Sequence, residues 1–278
     1  MLALDQATVR IGSATLLDGL SLGIASGEVV AVVGPNGAGK TTALRLLAGE
    51  AAPTSGAVTL DGRPLAETAA DAVARRRSVL PQQSALAFGF TALDVVRLGR
   101  TPHRTTRRDD LAAATRAMER AGVAPLADRR YPTLSGGERQ RVHLARALAQ
   151  IDPEAGAPAD GRYLLLDEPT SALDLAHQHA VLQVARAEAA RGAGVLAVLH
   201  DLNLAAQYAD RIAVLAAGAR VALGPPAAVL TPAVVQRAFG ISVVVTQNPC
   251  AACPLVVPIA EGDSDAVPFA PLPVVSGP

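Results

Sequence analysis

The stretch GPNGAGKTT at residues 34–42 has the residue types and spacing that hold the phosphates of a nucleotide. It fits the pattern G-x-x-x-x-G-K-[ST] and lies between the apolar run EVVAVVG and a predicted helix, TTALRLLAGE. Backbone N–H groups there can surround a phosphate, and the helix N-terminus adds partial positive charge. Lys40 is expected to reach the β- and γ-phosphates and Thr41 to hold Mg²⁺. The expected nucleotide-binding residues are Gly34, Pro35, Asn36, Gly37, Ala38, Gly39, Lys40, Thr41 and Thr42.

A second stretch, YLLLDEP at residues 163–169, places two carboxylates after a buried strand. Asp167 follows three aliphatic residues and is expected at the carboxyl end of the strand, where open α/β sheets bind ligands. It is expected to support the Mg²⁺ ion. Glu168 is placed to polarise a water molecule for attack on the γ-phosphorus, which makes it the candidate general base.

A third stretch, LSGGE at residues 134–138, resembles another phosphate-binding loop. Ser135, Gly136 and Gly137 begin the predicted helix GERQRVHLARALAQ, so they present N–H groups and a helix dipole to an anion. Residues 34–42 already enclose one nucleotide, so a second donor surface can reach its γ-phosphate only from outside. The sequence therefore predicts a head-to-tail pair of chains with two nucleotides between them.

The elements around these stretches predict an α/β fold. Short apolar runs over the first 60 residues predict strands, and residues 84–150 are predominantly helical in pattern. The runs YLLLDEP and GVLAVLHD are continuous and apolar, as expected of strands buried on both faces of a parallel sheet. The sequence RIAVLAAGARVALG predicts a hairpin at Gly218, and short helices are expected after it. Four prolines in the last eleven residues predict a disordered tail after Gly262.

Composition excludes several classes of protein. The 25 Lys and Arg residues equal the 25 Asp and Glu residues, which argues against a nucleic-acid binder, and local Arg clusters such as 75–77 are expected to be solvated. Lys40 is the only lysine, so a compact ammonium is present where the wide guanidinium of Arg would not fit. The N-terminus does not have the pattern of a secretory signal, and prolines interrupt the uncharged stretch 238–260, so no transmembrane helix is expected. The pair Cys250 and Cys253 is expected to be two ordinary thiols.

Taken together, these motifs resemble those of ATP-binding cassette (ABC) ATPases over roughly residues 1–245. The resemblance implies ATP and Mg²⁺ as ligands, and it implies that Leu134 to Glu138 is the signature loop that grips the ATP of the opposite subunit. Gln82 matches the glutamine loop, which senses the γ-phosphate and Mg²⁺; Gln83 is the alternative. Asp174 matches the loop that couples the two sites, and His200 matches the switch histidine at the γ-phosphate. No role is assigned to His177 or His179, and His103 and His143 are expected to be surface or structural residues.

The resemblance also implies a fold and its division. It implies a P-loop NTPase core with an N-terminal antiparallel β subdomain and an inserted helical subdomain at about residues 84–150. The ATPase domain would span residues 1–245 and a C-terminal extension residues 246–278. One position departs from the family: Ile11 occupies the place where an aromatic residue usually stacks on adenine, which predicts weaker affinity and base selectivity. Arg10 is an alternative stacking partner.

Within the family, the resemblance is greatest to the ATP-binding subunits of bacterial haem (hemin) importers. The carriers of that similarity are residues 79–103, the long loop before YLLLDEP and the late stretch CPLVVP. This implies a second copy of the chain, two permease subunits that dock at residues 79–103, and a periplasmic binding protein as an indirect partner. The location implied is the cytoplasmic face of the inner membrane. Alternatives are a ferric siderophore or cobalamin as the substrate, and a non-transport ABC ATPase.

Overall fold

The computed structural model of the 278-residue chain describes residues 1–82, 89–153, 161–171 and 173–259. Strands dominate the N-terminal part, and helices and strands alternate after it. The elements are β1 (Leu2–Ile11), β2 (Ala14–Ile24), β3 (Val29–Val33), α1 (Lys40–Leu47), β4 (Ser55–Leu60), β5 (Arg63–Pro64), α2 (Ala70–Arg76), β6 (Arg77–Leu80), α3 (Ala92–Arg97), α4 (Arg107–Arg120), α5 (Gly136–Gln150), β7 (Tyr163–Asp167), α6 (Leu175–Ala190), β8 (Gly194–Val198), α7 (Leu202–Tyr208), β9 (Arg211–Ala216), β10 (Ala219–Gly224), α8 (Pro226–Val229), α9 (Pro232–Phe239), β11 (Val243–Gln247) and β12 (Pro254–Pro258).

A six-stranded sheet forms the centre of the protein, in the order β10-β9-β3-β8-β7-β6. All neighbours in it are parallel except β9 and β10, which form an antiparallel hairpin. Strands β3 and β8 are buried at every position because both faces of the sheet are covered. On β3, Val30 and Val32 point into one hydrophobic core, whereas Ala31 and Val33 point into the other. The carboxyl ends of β3, β8, β7 and β6 therefore lie side by side at one edge of the sheet.

The N-terminal strands form a separate antiparallel sheet in the order β2-β1-β4-β5. Its inward residues, among them Leu2, Leu17 and Leu20, share one hydrophobic core with the buried face of α1. This packing holds α1 between the two sheets and fixes the direction in which its N-terminus points.

Helices α3, α4 and α5 lie between β6 and β7 in the chain and pack against one another. The N-terminus of each is closed by a reciprocal capping box, built on Thr91, Thr106 and Ser135 respectively. The buried Arg100, which follows α3, is bonded to the C-terminal end of α5, because its Nη1 donates to the carbonyl oxygens of Ala149 and Asp152. The predicted α/β architecture, with N-terminal antiparallel strands and inserted helices, is confirmed; the domain boundary at residue 245 stays a prediction.

The C-terminal part of the described chain is a hairpin of β11 and β12 that packs on α7. The side chain of Asn203 exchanges two hydrogen bonds with the backbone of Val256, as a neighbouring strand would. Cys250 and Cys253 are free thiols in the hairpin turn. No helix within the described residues is long and apolar enough to cross a membrane. The expected disorder after Gly262 lies outside the described residues.

Two features differ from the sequence-based expectation. Helix α2 and strand β5 were not anticipated, because both are short and only Val73 of α2 is buried. The arginines at 75–77 are half-buried rather than fully solvated: Arg76 pairs with Asp61 and also donates to the carbonyl oxygen of Gly161. Burial lowers the pKa of the Arg77 guanidinium.

Candidate nucleotide-binding and hydrolysis site

Glycines allow the loop from β3 to α1 to pack closely against neighbouring residues. A Cβ atom on Gly34 would lie 2.2 Å from the carbonyl oxygen of Leu215, and one on Gly39 would lie 2.7 Å from the carbonyl oxygen of Leu16. Gly37 is constrained differently, because its φ is 78° and no atom lies within 4 Å of the Cβ position. The loop therefore wraps closely against the protein on one side and is open on the other, as a phosphate cradle requires.

Lys40 lies at the first position of α1 and its side chain curls back over the loop. Nζ donates to the carbonyl oxygens of Gly34 and Pro35, both at 2.9 Å, and the residue is buried. Burial lowers the pKa of the Lys40 ammonium, while the carboxylates of Glu168 and Asp167 act in the opposite direction. The single lysine of the chain thus places its charge inside the cradle.

Asp167 lies at the end of β7, half-buried, with an acceptor that nothing in the described chain satisfies. Its Oδ1 is buried and has no hydrogen-bond partner there. Burial raises the pKa of the Asp167 carboxyl, the neighbouring carboxylates of Glu168 and Glu50 add to the increase, and Lys40 and His200 oppose it. A carboxylate oxygen held without a partner among other carboxylates is suited to a divalent cation, so the donor set fits Mg²⁺.

Glu168 contacts two side chains that come from distant parts of the sequence. Gln82 Nε2 donates to Glu168 Oε2 at 2.5 Å, and His200 Nε2 lies 2.7 Å from Glu168 Oε1. The three residues follow β6, β7 and β8, which are adjacent parallel strands, and the sheet order therefore brings them together. The structure thus gathers all three residues expected to be catalytic, next to Asp167; the alternative Gln83 lies outside the described residues.

The backbone at Glu168 is in the left-handed region, with φ of 48°. Such a conformation costs a non-glycine residue about 1–3 kcal/mol, and residues held in this way are concentrated at functional sites. The turn is maintained by Ser171, whose N–H and hydroxyl both donate to the Glu168 carbonyl oxygen. In this conformation the Glu168 side chain contacts both His200 and Gln82.

The loop 134–138 begins α5 with its donors arranged for an anion. Ser135 Oγ accepts from the Glu138 N–H at 3.2 Å, and Glu138 Oε2 accepts from the Ser135 N–H at 2.7 Å. The hydrogen bond from the Ser135 backbone and the nearby Arg129 hold the pKa of the Glu138 carboxyl below its usual value. Gly136 has open space around its Cβ position, so a ligand can approach this helix start closely.

Asp174 caps the N-terminus of α6 beside this loop. Its Oδ1 accepts from the His177 N–H at 2.9 Å and lies 2.6 Å from His177 Nδ1. These contacts with His177 keep the pKa of the Asp174 carboxyl below its usual value. Atoms of Leu173 and His177 are the nearest to the Cβ position of Gly137, so the structure places Asp174 and the loop 134–138 on one surface.

The candidate residues therefore fall into two groups. Residues 34–42, Gln82, Asp167, Glu168 and His200 line one edge of the central sheet, and Ser135, Gly136, Gly137 and Asp174 lie where α5 and α6 begin. Among the residues that the structure describes, no hydrogen bond or ion pair joins residues 34–42 to the second group. Ile11, at the end of β1, is 66% exposed and free to contact a ligand.

Sequence reasoning assigned no role to His177, which the structure shows in contact with Asp174. Its spacing of three residues from Asp174 is the signal that could have identified it, because residues at i and i+3 meet on a helix. His103 contacts the Gln150 carbonyl oxygen, His143 is buried against Tyr131, and His179 lies 2.6 Å from the Tyr208 hydroxyl. His103 and His179 occupy structural positions.

Comparison with known proteins agrees with this arrangement. Residues 17–171 match the family model described as ABC transporter. The hemin import ATP-binding protein HmuV of Gloeobacter violaceus is 54% identical over 256 residues, which cover 91% of this chain and 92% of that protein. The protein of the same name from Myxococcus xanthus is 53% identical, covering 92% of this chain and 96% of that one.

Solved structures show the same fold. A transporter described as of metal-chelate type, in an inward-facing conformation, matches with a TM-score of 0.75 and 26% identity, over 93% of this chain and 97% of that chain. The dimeric structure of a bacterial ABC transporter cassette matches with a TM-score of 0.69 and 28% identity, over 81% of this chain and 98% of the cassette.

Proposed function

Because the chain belongs to the ABC transporter family, we propose that it is the ATP-hydrolysing subunit of a bacterial importer that drives hemin uptake across the inner membrane. The ATPase activity coupled to transport follows from the family. The observation that carries the chemistry is the convergence of Gln82, Glu168 and His200 beside the Lys40 loop. The choice of hemin is supported by the name of the relatives, which match over nearly the whole chain.

In this proposal Glu168 acts on the water that attacks the γ-phosphorus. Its carboxylate accepts the water's proton, and His200 and Gln82 hold the carboxylate in position because they contact both of its oxygens. His200 is also placed to contact the γ-phosphate. Lys40 reaches the β- and γ-phosphates, and the backbone N–H groups of residues 36–41, together with Thr42, contact the remaining oxygens.

Mg²⁺ would be held by Thr41, Gln82 and Asp167, of which Asp167 has an oxygen without a partner in the described chain. When bound, the ion neutralises charge on the β- and γ-phosphates. The electrostatic setting supports this assignment, since burial and two neighbouring carboxylates already disfavour the ionised form of Asp167 and a cation would relieve that cost.

The second group of residues is proposed to act on the ATP of a partner subunit. Ser135, Gly136 and Gly137 would donate to its γ-phosphate, and Asp174 would transmit the state of one site to the other. The support is the separation of this group from residues 34–42 in one chain, together with the likeness to a cassette solved as a dimer. A closed two-fold pair makes each site complete.

Mixed subunits test this trans arrangement. Lys40→Ala removes the phosphate lysine and Ser135→Ala removes a signature-loop donor, so each variant alone has two defective sites. A mixed pair of the two variants has one intact composite site, and ATP hydrolysis should reappear on mixing. Absence of recovery would contradict the arrangement.

Two permease subunits are the proposed partners, with residues 79–103 as the docking segment at the cytoplasmic face of the inner membrane and a periplasmic binding protein as the indirect partner. In the described part of this segment, Phe90 and Leu98 are exposed apolar residues, as expected of a protein contact. Co-purification with a polytopic membrane protein would support this role. Co-purification with ribosomes or DNA would point to a non-transport ATPase.

Growth of a strain deleted for this chain, with hemin or a ferric siderophore as the sole iron source, tests the substrate. Failure on hemin alone, rescued by the wild-type chain and not by Lys40→Ala, is the expected result. Normal growth on hemin with failure on the siderophore would overturn the substrate and leave the ATPase assignment in place. Failure in cobalamin uptake alone would assign the chain to that vitamin.

A further inference from the structure

Tyr131 lies four residues before Ser135 and is almost completely buried, although the loop that it precedes is exposed. Its hydroxyl is 2.7 Å from Nε2 of His143, which lies on α5 two turns beyond the loop. The two rings meet edge to face, with centroids 5.4 Å apart and an interplanar angle of 75°. One side-chain contact therefore ties the segment that enters the loop 134–138 to the helix that leaves it.

Further contacts immobilise the same segment. The Tyr131 N–H donates to the carbonyl oxygen of Phe90 at 2.8 Å, and the Leu134 N–H donates to the Tyr131 carbonyl oxygen at 3.2 Å. Arg139, on the first turn of α5, places its guanidinium 5.8 Å from the Tyr131 ring centroid and donates from Nη2 to the Pro132 carbonyl oxygen at 2.7 Å. The segment that precedes the loop 134–138 and the helix that follows it are therefore both held in place.

We propose that Tyr131 and His143 are positioning residues for ATP hydrolysis, whose hydrogen bond holds Ser135, Gly136 and Gly137 where they meet the ATP of the partner subunit. This inference rests on the proposed trans arrangement. Donors to a transition state act only when they are held within a fraction of an ångström, so a residue that fixes the loop acts on the rate without touching ATP.

The state of His143 suits this role. Burial lowers the pKa of its imidazole to about 4, so the ring is neutral at physiological pH and its bond to Tyr131 does not change with small changes in pH. Within the described residues, the Lys40 ammonium donates to the carbonyl oxygens of Gly34 and Pro35 and to neither member of the pair. A defect in the pair should therefore affect the signature side of a site and spare the Lys40 side.

Tyr131→Phe tests the inference in the full chain assembled with its permease. It keeps the ring and removes the hydroxyl, and kcat for ATP hydrolysis should fall about tenfold, equivalent to about 1.4 kcal/mol of transition-state stabilisation. The dissociation constant of ATP for the single chain should stay the same, because the Lys40 loop is untouched. Tyr208→Phe is the matched control: it breaks a Tyr–His contact of similar length, with His179, and should leave kcat within about twofold.

Mixing separates positioning from general damage. A pair of Tyr131→Phe and Lys40→Ala subunits contains one site made of an intact Lys40 loop and an intact signature loop, so activity should recover as it does for Ser135→Ala. Failure of Tyr131→Phe to recover, while Ser135→Ala does, would overturn the inference and leave the trans arrangement standing. Failure of both would refute the trans arrangement itself.

The partner residue supplies the second test. His143→Leu should reduce kcat about as much as Tyr131→Phe, whereas His143→Gln, which can still bond the hydroxyl, should retain most of the activity. The double variant Tyr131→Phe/His143→Leu removes both polar partners of this hydrogen bond together. If it regains the wild-type kcat, the loss in each single variant came from the polar atom that had lost its partner in this hydrogen bond, and the positioning role is refuted; a persistent loss supports it.

Discussion

Replacing Glu168 by glutamine should stop hydrolysis while leaving the fold and the ATP site intact. The side chain keeps its length, and Cβ stays in the same left-handed backbone conformation, so the strain at φ of 48° is unchanged. The new amide oxygen can still accept from His200 Nε2, which lies 2.7 Å away. The amide of Gln82 must turn so that its oxygen faces the new N–H₂ group, because it now donates to Glu168 Oε2.

These contacts set the expected magnitudes. One hydrogen bond is rearranged rather than lost on a partly exposed residue, so the free energy of unfolding should change by less than about 1 kcal/mol. The base is removed altogether, and general base catalysis contributes about 10²–10⁴ in rate, so kcat should fall by about that factor. ATP affinity should not fall, since Lys40 and the loop 34–42 are unaltered.

The assay compares wild type, Glu168→Gln and Lys40→Ala in the assembled transporter. We would measure kcat for phosphate release and, by size-exclusion chromatography of the isolated chain with ATP and Mg²⁺, the fraction that is dimeric. Glu168→Gln should form a stable ATP-bound dimer with little turnover, and Lys40→Ala should form none. Hydrolysis by Glu168→Gln at the normal rate would refute the role given to this carboxylate.

Three other predictions follow from buried groups. Asp167→Asn should raise the free energy of unfolding of the nucleotide-free chain at pH 7, because burial holds the pKa of the Asp167 carboxyl above its unfolded value and makes the charged form costly. This gain in stability should vanish below about pH 4, where the carboxyl is protonated in both states. The variant should also need far more Mg²⁺ for activity. Gly34→Ala, whose Cβ would lie 2.2 Å from the Leu215 carbonyl oxygen, should destabilise the chain by about 3 kcal/mol or more in urea unfolding, and Gly37→Ala by about 1 kcal/mol, since only its backbone is strained; equal losses would contradict the steric reading. Folding lowers the pKa of His143 from 6.5 to about 4, so on acidification the unfolded chain takes up the proton at a higher pH than the folded chain. Between pH 7 and pH 4 the wild type should therefore lose about 3 kcal/mol more of its free energy of unfolding than His143→Gln. Parallel stability curves for the two would refute that assignment.

The fold was predictable where local patterns are strong. The apolar runs that became β3, β7 and β8 are buried on both faces, and such runs have few alternatives in an α/β domain. Helix α2 was not predictable, because seven residues of which only Val73 is buried carry no periodic signal, and its helicity depends on tertiary packing.

The site residues were likewise predictable only where the sequence carries a local pattern. Sequence spacing was enough to select the residues of short motifs that neighbouring residues define, namely Lys40, Thr41, Asp167 and Glu168. The meeting of Gln82 and His200 at Glu168 depends on the order of β6, β7 and β8 in the sheet, which the residues do not encode locally and which the family resemblance supplied. The hydrogen bond between Tyr131 and His143 had no sequence signal at all, since a buried Tyr–His pair has no characteristic spacing.

The proposed pairing of two chains has a physical basis in how α5 begins. Its capping box uses the N–H groups of Ser135 and Glu138, and the N–H groups of Gly136 and Gly137 have no acceptor in their own helix. The Ser135 hydroxyl accepts one hydrogen bond and still carries a proton that it can donate. At the other group, Lys40 is held by two carbonyl oxygens that offer no negative charge to its ammonium. Each group of residues thus presents donors to an anion, and a triphosphate placed between the Lys40 loop of one subunit and α5 of another would satisfy both.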